Sequence, residues 1–328
     1  MPIETHPLQT TFRPGDTSLL RNKQGRCRKC DKAQTPGEKF RFCKGCNVAI
    51  YCSEECQRAH WEHHKPLCKY QQENTAFFES HPEVVEPTAP GMPNILEMQS
   101  YLRDFTEAHR PSFQGLLHAK LLSMGGTKKV LTKENPQVCL IPLKYRPPGP
   151  DGVNPALTFS YSNCVLLPRA RVLADAAEHR PRFLEAWEKS AESRAHVAAT
   201  FGNDPDFVDI LPVLFAPHHG PAQFGYFPQY SGFEGDGRER ALSREAVAAQ
   251  LDTYATFIQL GIVLREPSPS AAPIPGYMKK IGDGKKWEWR ALWTNWYGDP
   301  EWTRAKTTKD RVRLLKRKLA EAERRGAS

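Results

Sequence analysis

The chain has 328 residues, 39% of them hydrophobic and 25% charged, with a formal net charge of +9 at pH 7. It is long enough for about two domains, and no apolar run reaches the roughly 18 residues that a membrane-spanning helix needs. The start, MPIETHPLQTTFRPGD, lacks the apolar stretch of a secretory signal, so the expected location is the cytoplasm or nucleus and not the secreted space.

Residues 1–24 read as a flexible N-terminus, followed by a dense cysteine cluster. Seven of the nine cysteines fall between Cys27 and Cys68. In a reducing compartment such a cluster points to metal sooner than to disulfides. Cys139 and Cys164 lie apart, in QVCLI and SNCVLL, and read as separate buried hydrophobes.

In chain order the cluster is CRKC (Cys27, Cys30), FCKGC (Cys43, Cys46), YCSEEC (Cys52, Cys56) and HKPLC (His64, Cys68). Pairs of donors two to four residues apart are the form in which tetrahedral zinc is met, and eight donors make two zinc sites. His64 lies four residues before Cys68, one helical turn away, whereas His63 would face sideways and His60 would need two turns. SEECQRAHWEHHK is rich in helix formers with a serine to cap the first turn, so the last two pairs read as lying on a short helical hairpin. Spacing leaves open whether the pairs are shared between the ions in sequence or alternately.

The order CxxC, CxxC, a tyrosine-cysteine start to CxxxC, then HxxxC, with Cys56, Gln57, Trp61 and His64 in the CQxxxWxxH pattern, resembles a MYND-type zinc finger over residues 27–68. The resemblance covers about an eighth of the chain and implies the alternating arrangement: Cys27, Cys30, Cys52 and Cys56 on one ion, Cys43, Cys46, His64 and Cys68 on the other. It also implies a protein-interaction module that takes short proline-containing motifs, with Gln57 and Trp61 in contact. From the residues alone, these two share a helical face and offer an aromatic plate beside an amide, although Trp61 could equally be the small core of the finger.

Four protein donors on each ion leave no open position for substrate or activated water, so zinc here reads as structural. Residues 27–68 hold eight Lys and Arg against five Asp and Glu. Bound thiolates cancel that excess and leave the loaded finger close to neutral, which favours protein partners over nucleic acid. MYND fingers also occur inserted in lysine methyltransferase SET domains. The nearest text to the expected NHSCxPN motif, SYSNCVLLP, lacks the histidine and the second asparagine, and only 26 residues precede the finger, which disfavours that enzyme.

Residues 71–93 read as a linker, proline-rich in ESHPEVVEPTAPGMPN. Residues 94–266 then alternate helical and strand-like patterns: a helical stretch interrupted near Pro111 and stopped by Gly125 and Gly126, strands in PQVCLIPLKYRP and PALTFSYSNCVLL, a helix over 171–199, strands in VDILPVLFAP and AQFGYFPQYS, and a helix in REAVAAQLDTYATFIQLGIVL. The fold class expected is α+β: a small cross-braced two-zinc finger, a larger domain with antiparallel strands, and a C-terminal basic helix. No phosphate loop, nucleophile elbow or HExxH appears. His218 and His219 read as loop residues, and Asp204, Asp206 and Asp209 as turn and capping residues.

Residues 267–303 are proline-rich and then hold five of the seven tryptophans, which read as docked on the preceding domain. Residues 304–328 carry ten Lys and Arg against three Asp and Glu, with Val312, Leu315 and Leu319 as an apolar stripe widened by Leu314. The functional expectation is a zinc-binding interaction adaptor for proteins carrying proline-rich motifs, with no membrane role and with binding favoured over catalysis. Its alternatives are an enzyme housed in residues 94–266 and nucleic-acid contact through the basic tail.

Overall fold

The computed structural model describes residues 27–30, 32, 40–46, 49–87, 89–179, 181–231, 242–265, 273–281, 286–296 and 298–325. The N-terminal segment 1–24 and the proline-rich residues 267–272 lie outside the described residues.

The finger begins with a two-stranded antiparallel ribbon, β1 (Arg41–Phe42) and β2 (Ile50–Tyr51), and continues into α1 (Glu54–Ser80). Ser53 caps this helix, its Oγ accepting from the Cys56 N–H at 3.3 Å, and Glu54 and Glu55 complement the dipole of the first turn. The expected short hairpin is instead one helix of 27 residues, about 40 Å long. Pro66 removes a single N–H from the ladder, and no glycine interrupts residues 54–80, so the helix runs on through the first ten residues expected as linker.

The far half of α1 reaches the rest of the chain. After α2 (Pro82–Val85), α3 (Ile95–Ala108) starts with a capping box between Asn94 and Glu97, and α4 (Arg110–Ser123) follows after His109, with Pro111 in its first turn. Gly125 and Gly126 end that helix with φ of 106° and 107°, a backbone region that side chains disfavour, before the single turn α5 (Thr127–Val130).

A five-stranded sheet comes next. β3 (Gln137–Tyr145) pairs along one edge with both β4 (Phe159–Tyr161) and β5 (Val165–Pro168), antiparallel to each. Its other edge pairs in parallel with β6 (Phe207–Pro217), and β7 (Gln223–Tyr230) closes the sheet antiparallel to β6. The helical stretch expected as one piece is three helices, α6 (Arg169–His179), α7 (Pro181–Lys189) and α8 (Ala191–Phe201), which carry the chain from one edge of β3 to the other.

Both faces of this sheet are covered. Cys139, Ile141 and Leu143 of β3, with Leu211, Val213 and Phe215 of β6, pack on α3 and α4 residues such as Phe105 and Phe113, while Val138 and Leu214 pack on Trp187 of α7. Double burial explains the continuous apolar runs that replace strict alternation. Cys139 and Cys164 are buried as expected, and their thiols meet each other across β3 and the start of β5.

α9 (Arg244–Leu260), capped by Ser243 and ended by Gly261 in the left-handed conformation, lies against α4. Three strands not expected from the sequence, β8 (Val263–Arg265), β9 (Ile274–Ile281) and β10 (Lys286–Ala291), form a second antiparallel sheet in the order β10-β9-β8. Then come α10 (Pro300–Arg304) and α11 (Thr308–Arg325).

Trp289, Trp293, Trp296 and Trp302 are packing residues. Trp296 is fully buried, edge-on to Phe257 at 5.6 Å and to Trp302 at 4.9 Å, and the Nε1 groups of Trp289, Trp293 and Trp296 donate to Val263 O, Asp299 Oδ2 and Pro273 O. α11 docks on α9 through buried Leu314 and Leu315, Arg317 pairs with Glu301 at 2.6 Å, and Lys318 reaches the same carboxylate at 3.4 Å. Part of the basic tail is thus engaged within the fold.

Candidate metal centre

Two turns, a ribbon and one helix position eight donors. The first turn begins at Cys27, whose N–H donates to Lys32 O at 3.0 Å, and the Arg28 N–H ties it to β2 by donating to Ile50 O at 3.0 Å. The second turn begins at Cys43, the residue after β1, whose N–H donates to Ala49 O at 2.7 Å. Cys52 directly follows β2, and Cys56, His64 and Cys68 all lie on α1.

These residues converge as two tetrads, Cys27, Cys30, Cys52 and Cys56 in one and Cys43, Cys46, His64 and Cys68 in the other, each with its donor atoms within 4.8 Å of one another. The alternating arrangement, which spacing alone left open, is the one adopted. Tetrahedral zinc, with bonds of about 2.3 Å to sulfur and about 2.05 Å to nitrogen, requires edges of about 3.8 Å between two sulfurs and about 3.6 Å between sulfur and nitrogen. The structure places Cys30 and Cys52 sulfurs at 3.6 Å, Cys52 and Cys56 at 3.5 Å, Cys43 and Cys68 at 3.7 Å, and Cys46 Sγ 3.6 Å from His64 Nε2. These four edges match tetrahedral zinc, and the donor sets fit two zinc ions. Each tetrad takes one ligand pair from each half of the segment, so the ions brace the turns against the helix.

The surroundings favour bound metal. Burial works to raise the Cys27 thiol, but backbone N–H groups of Cys30, Cys52 and Lys29 outweigh it and bring the thiol down to about 6. Burial pushes Cys52 and Cys68 the other way, up to about 12, so these two ionise only with a cation beside them. Burial, and then the positive charge of Arg28, lower the pKa of His64, keeping its ring neutral as a ligand must be.

Two further residues shape the second site. Gln72, one turn beyond Cys68, donates from Nε2 to the Cys68 sulfur at 3.3 Å, and Gly45 lies so close that a side-chain carbon there would come within 2.5 Å of that Nε2. Gln72 escaped the sequence reading, although the i, i+4 offset from a ligand on a helix is the signal that could have found it. Tyr51, fully buried, is the aromatic centre of the finger, packed among Cys27, Phe40, Cys43, Ala49 and Cys68. Its hydroxyl meets His60 Nδ1 at 2.9 Å, and the His60 ring stacks on that of His64. His63 is exposed and belongs to neither tetrad.

Gln57 and Trp61 lie four residues apart on α1, Gln57 half-buried and Trp61 37% exposed. Trp61 is absent from the buried cluster of the finger, and its ring stands edge-on to His64 at 6.0 Å. Elsewhere, His218 and His219 are exposed in the turn between β6 and β7, and Asp204 and Asp209 accept from the backbone N–H groups of Asp206 and Ile210.

Compared with known protein families, residues 27–68, the stretch that holds all eight donors, match the MYND finger. No solved structure matches the chain. Among the described residues, no helix is long and apolar enough to cross a membrane.

Proposed function

We propose that this MYND finger, a zinc-binding protein-interaction module, makes the chain an adaptor that takes short proline-containing peptides on the α1 face bearing Gln57 and Trp61. The observation that carries the reading is Trp61, a large ring left 37% exposed while its edge rests on the buried ligand His64. A ring held in that way loses little freedom on binding. Proline-rich segments are already extended before they bind and dock on flat aromatic surfaces, and the Gln57 amide can pair with their backbone, both donating and accepting. In this reading the two zinc ions hold the surface in shape, since four protein donors on each leave no position for chemistry.

Selection of a proline-rich peptide library on the zinc-loaded chain tests it. Enriched peptides should lose about tenfold or more in affinity on Trp61→Ala or Gln57→Ala, with zinc content unchanged at two per chain. Peptides indifferent to both substitutions, or loss of zinc on Trp61→Ala, would sink the assignment.

A further inference from the structure

A cleft of about 640 Å³ opens between the far half of α1, the residues after α2 and the first turns of α3. Phe78, Val85, Pro87 and Leu96 give it an apolar lining, with Leu96 46% exposed. Glu79 and Glu86 also line it, with Asn74 and Gln99. Phe78 lies 17 residues beyond Trp61 on the same helix, about 25 Å along its axis, so the cleft is separate from the proposed proline-peptide face.

Charge distinguishes this place from the rest of the chain. Residues 70–102 contain no lysine or arginine and five glutamates, in a protein whose net charge is +9. Glu73 is engaged with Lys189 at 3.0 Å, and Glu97 accepts from the Asn94 N–H at 3.0 Å in the capping box. Glu79 and Glu86 are exposed and make no ion pair among the described residues. Among the described residues, the groups of three or more His, Cys, Asp and Glu close enough to share an ion are the two zinc tetrads, and neither includes Glu79 or Glu86.

We infer that this cleft takes an extended cationic peptide segment of a partner protein, with lysine or arginine side chains on Glu79 and Glu86 and an apolar side chain against Phe78 and Leu96. Exposed carboxylates that no cation of the described chain engages suit the cationic side chains of a partner. Asn74 and Gln99 can each donate to and accept from a peptide backbone, which a bare acidic surface cannot do. Positive charge along the segment would steer the encounter, while the apolar contact fixes register.

A random dodecamer library displayed against the full zinc-loaded chain tests this, followed by fluorescence anisotropy of the enriched peptides with Trp61→Ala as a control. The peptides whose binding survives Trp61→Ala should carry lysine or arginine flanking an apolar residue. The double variant Glu79→Gln/Glu86→Gln should weaken them about three- to tenfold at low salt and flatten their salt dependence. Leu96→Ser, at another exposed position, should weaken them with the salt dependence kept. Zinc content and thermal unfolding of each variant establish that the fold is retained. No enrichment beyond the Trp61 face, enriched peptides without excess positive charge, or binding indifferent to both variants would overturn the inference.

Discussion

The side-chain amide of Gln72 donates to the sulfur of Cys68 at 3.3 Å, and Gly45 leaves the space that this amide occupies. Hydrogen bonds to ligand sulfur tune metal affinity, and losing one costs about 10–100-fold in binding. Gln72→Leu and Gly45→Ala should therefore each weaken one zinc site by that order and leave the other intact. Chelator titration should then resolve two unequal release steps. Equal loss from both sites would show that Gln72 has no selective hold on the second.

Zinc loading should release protons. The Cys52 and Cys68 thiols, held up to about 12 by burial, must ionise to bind the cation. Titrating zinc into the metal-free chain in two buffers of different ionisation enthalpy should give different apparent heats, and binding should weaken as pH falls. Identical heats in the two buffers would contradict the ligand chemistry.

Two buried histidines set an acid limit for the rest of the fold. Burial lowers His109 and His118 from 6.5 to about 4. The unfolded chain therefore takes up protons that the folded chain refuses between those values. Stability from these groups is complete above about pH 6.5 and is lost as pH falls towards 4, on the order of 3 kcal/mol for each. Unfolding followed through the buried tryptophans should show this decline. Its slope should be shallower in His118→Gln, which carries no titrating ring.

Arg311 should matter more than the other cations of α11. Its guanidinium donates to Ala305 O, Ala249 O and Thr253 Oγ1 at 2.9 to 3.1 Å and lies over the Trp302 ring. Arg311→Ala should cost about 1–3 kcal/mol, since the carbonyl of buried Ala305 loses its guanidinium donor and the link from α11 to Ala249 and Thr253 of α9 is broken. Neutralising the exposed Lys309, Arg313 and Lys316 together should change stability by about 0.5 kcal/mol or less. Denaturant melts of the two variants provide the comparison, and equal effects would mean that α11 is held only by its apolar face.

Gly115 permits α4 and α9 to meet. A side-chain carbon there would fall 2.3 Å from the Tyr254 ring, so Gly115→Ala should destabilise the protein by about 1–3 kcal/mol. Adding Tyr254→Leu should return part of that loss as a coupling energy. Strictly additive effects of the two substitutions would place the strain elsewhere.

What could be read in the sequence was local. The ligand pairs, the Ser53 cap, the stop at Gly125 and the helix beginning at Arg244 each arise from residues within a turn or two of one another. The extension of α1 to Ser80 was hidden because the prolines from Pro82 onward gave the whole stretch the look of a linker. β10 was hidden by its own composition, since KKWEWR has charges alternating with tryptophans, of which Trp289 finds cover on meeting Val263. The meeting of Cys139 with Cys164 depends on strand pairing, which neither neighbourhood announces.

α1 carries His64 and Cys68 of the zinc site near its middle and Tyr70 and Glu73, both touching Lys189 of α7, directly beyond them. The finger is therefore carried on a stiff strut and does not swing from a tether. A peptide seated on it would arrive at a set height and bearing over the sheet and its helices, so the shape of the larger domain would help decide which whole proteins can follow their motifs in.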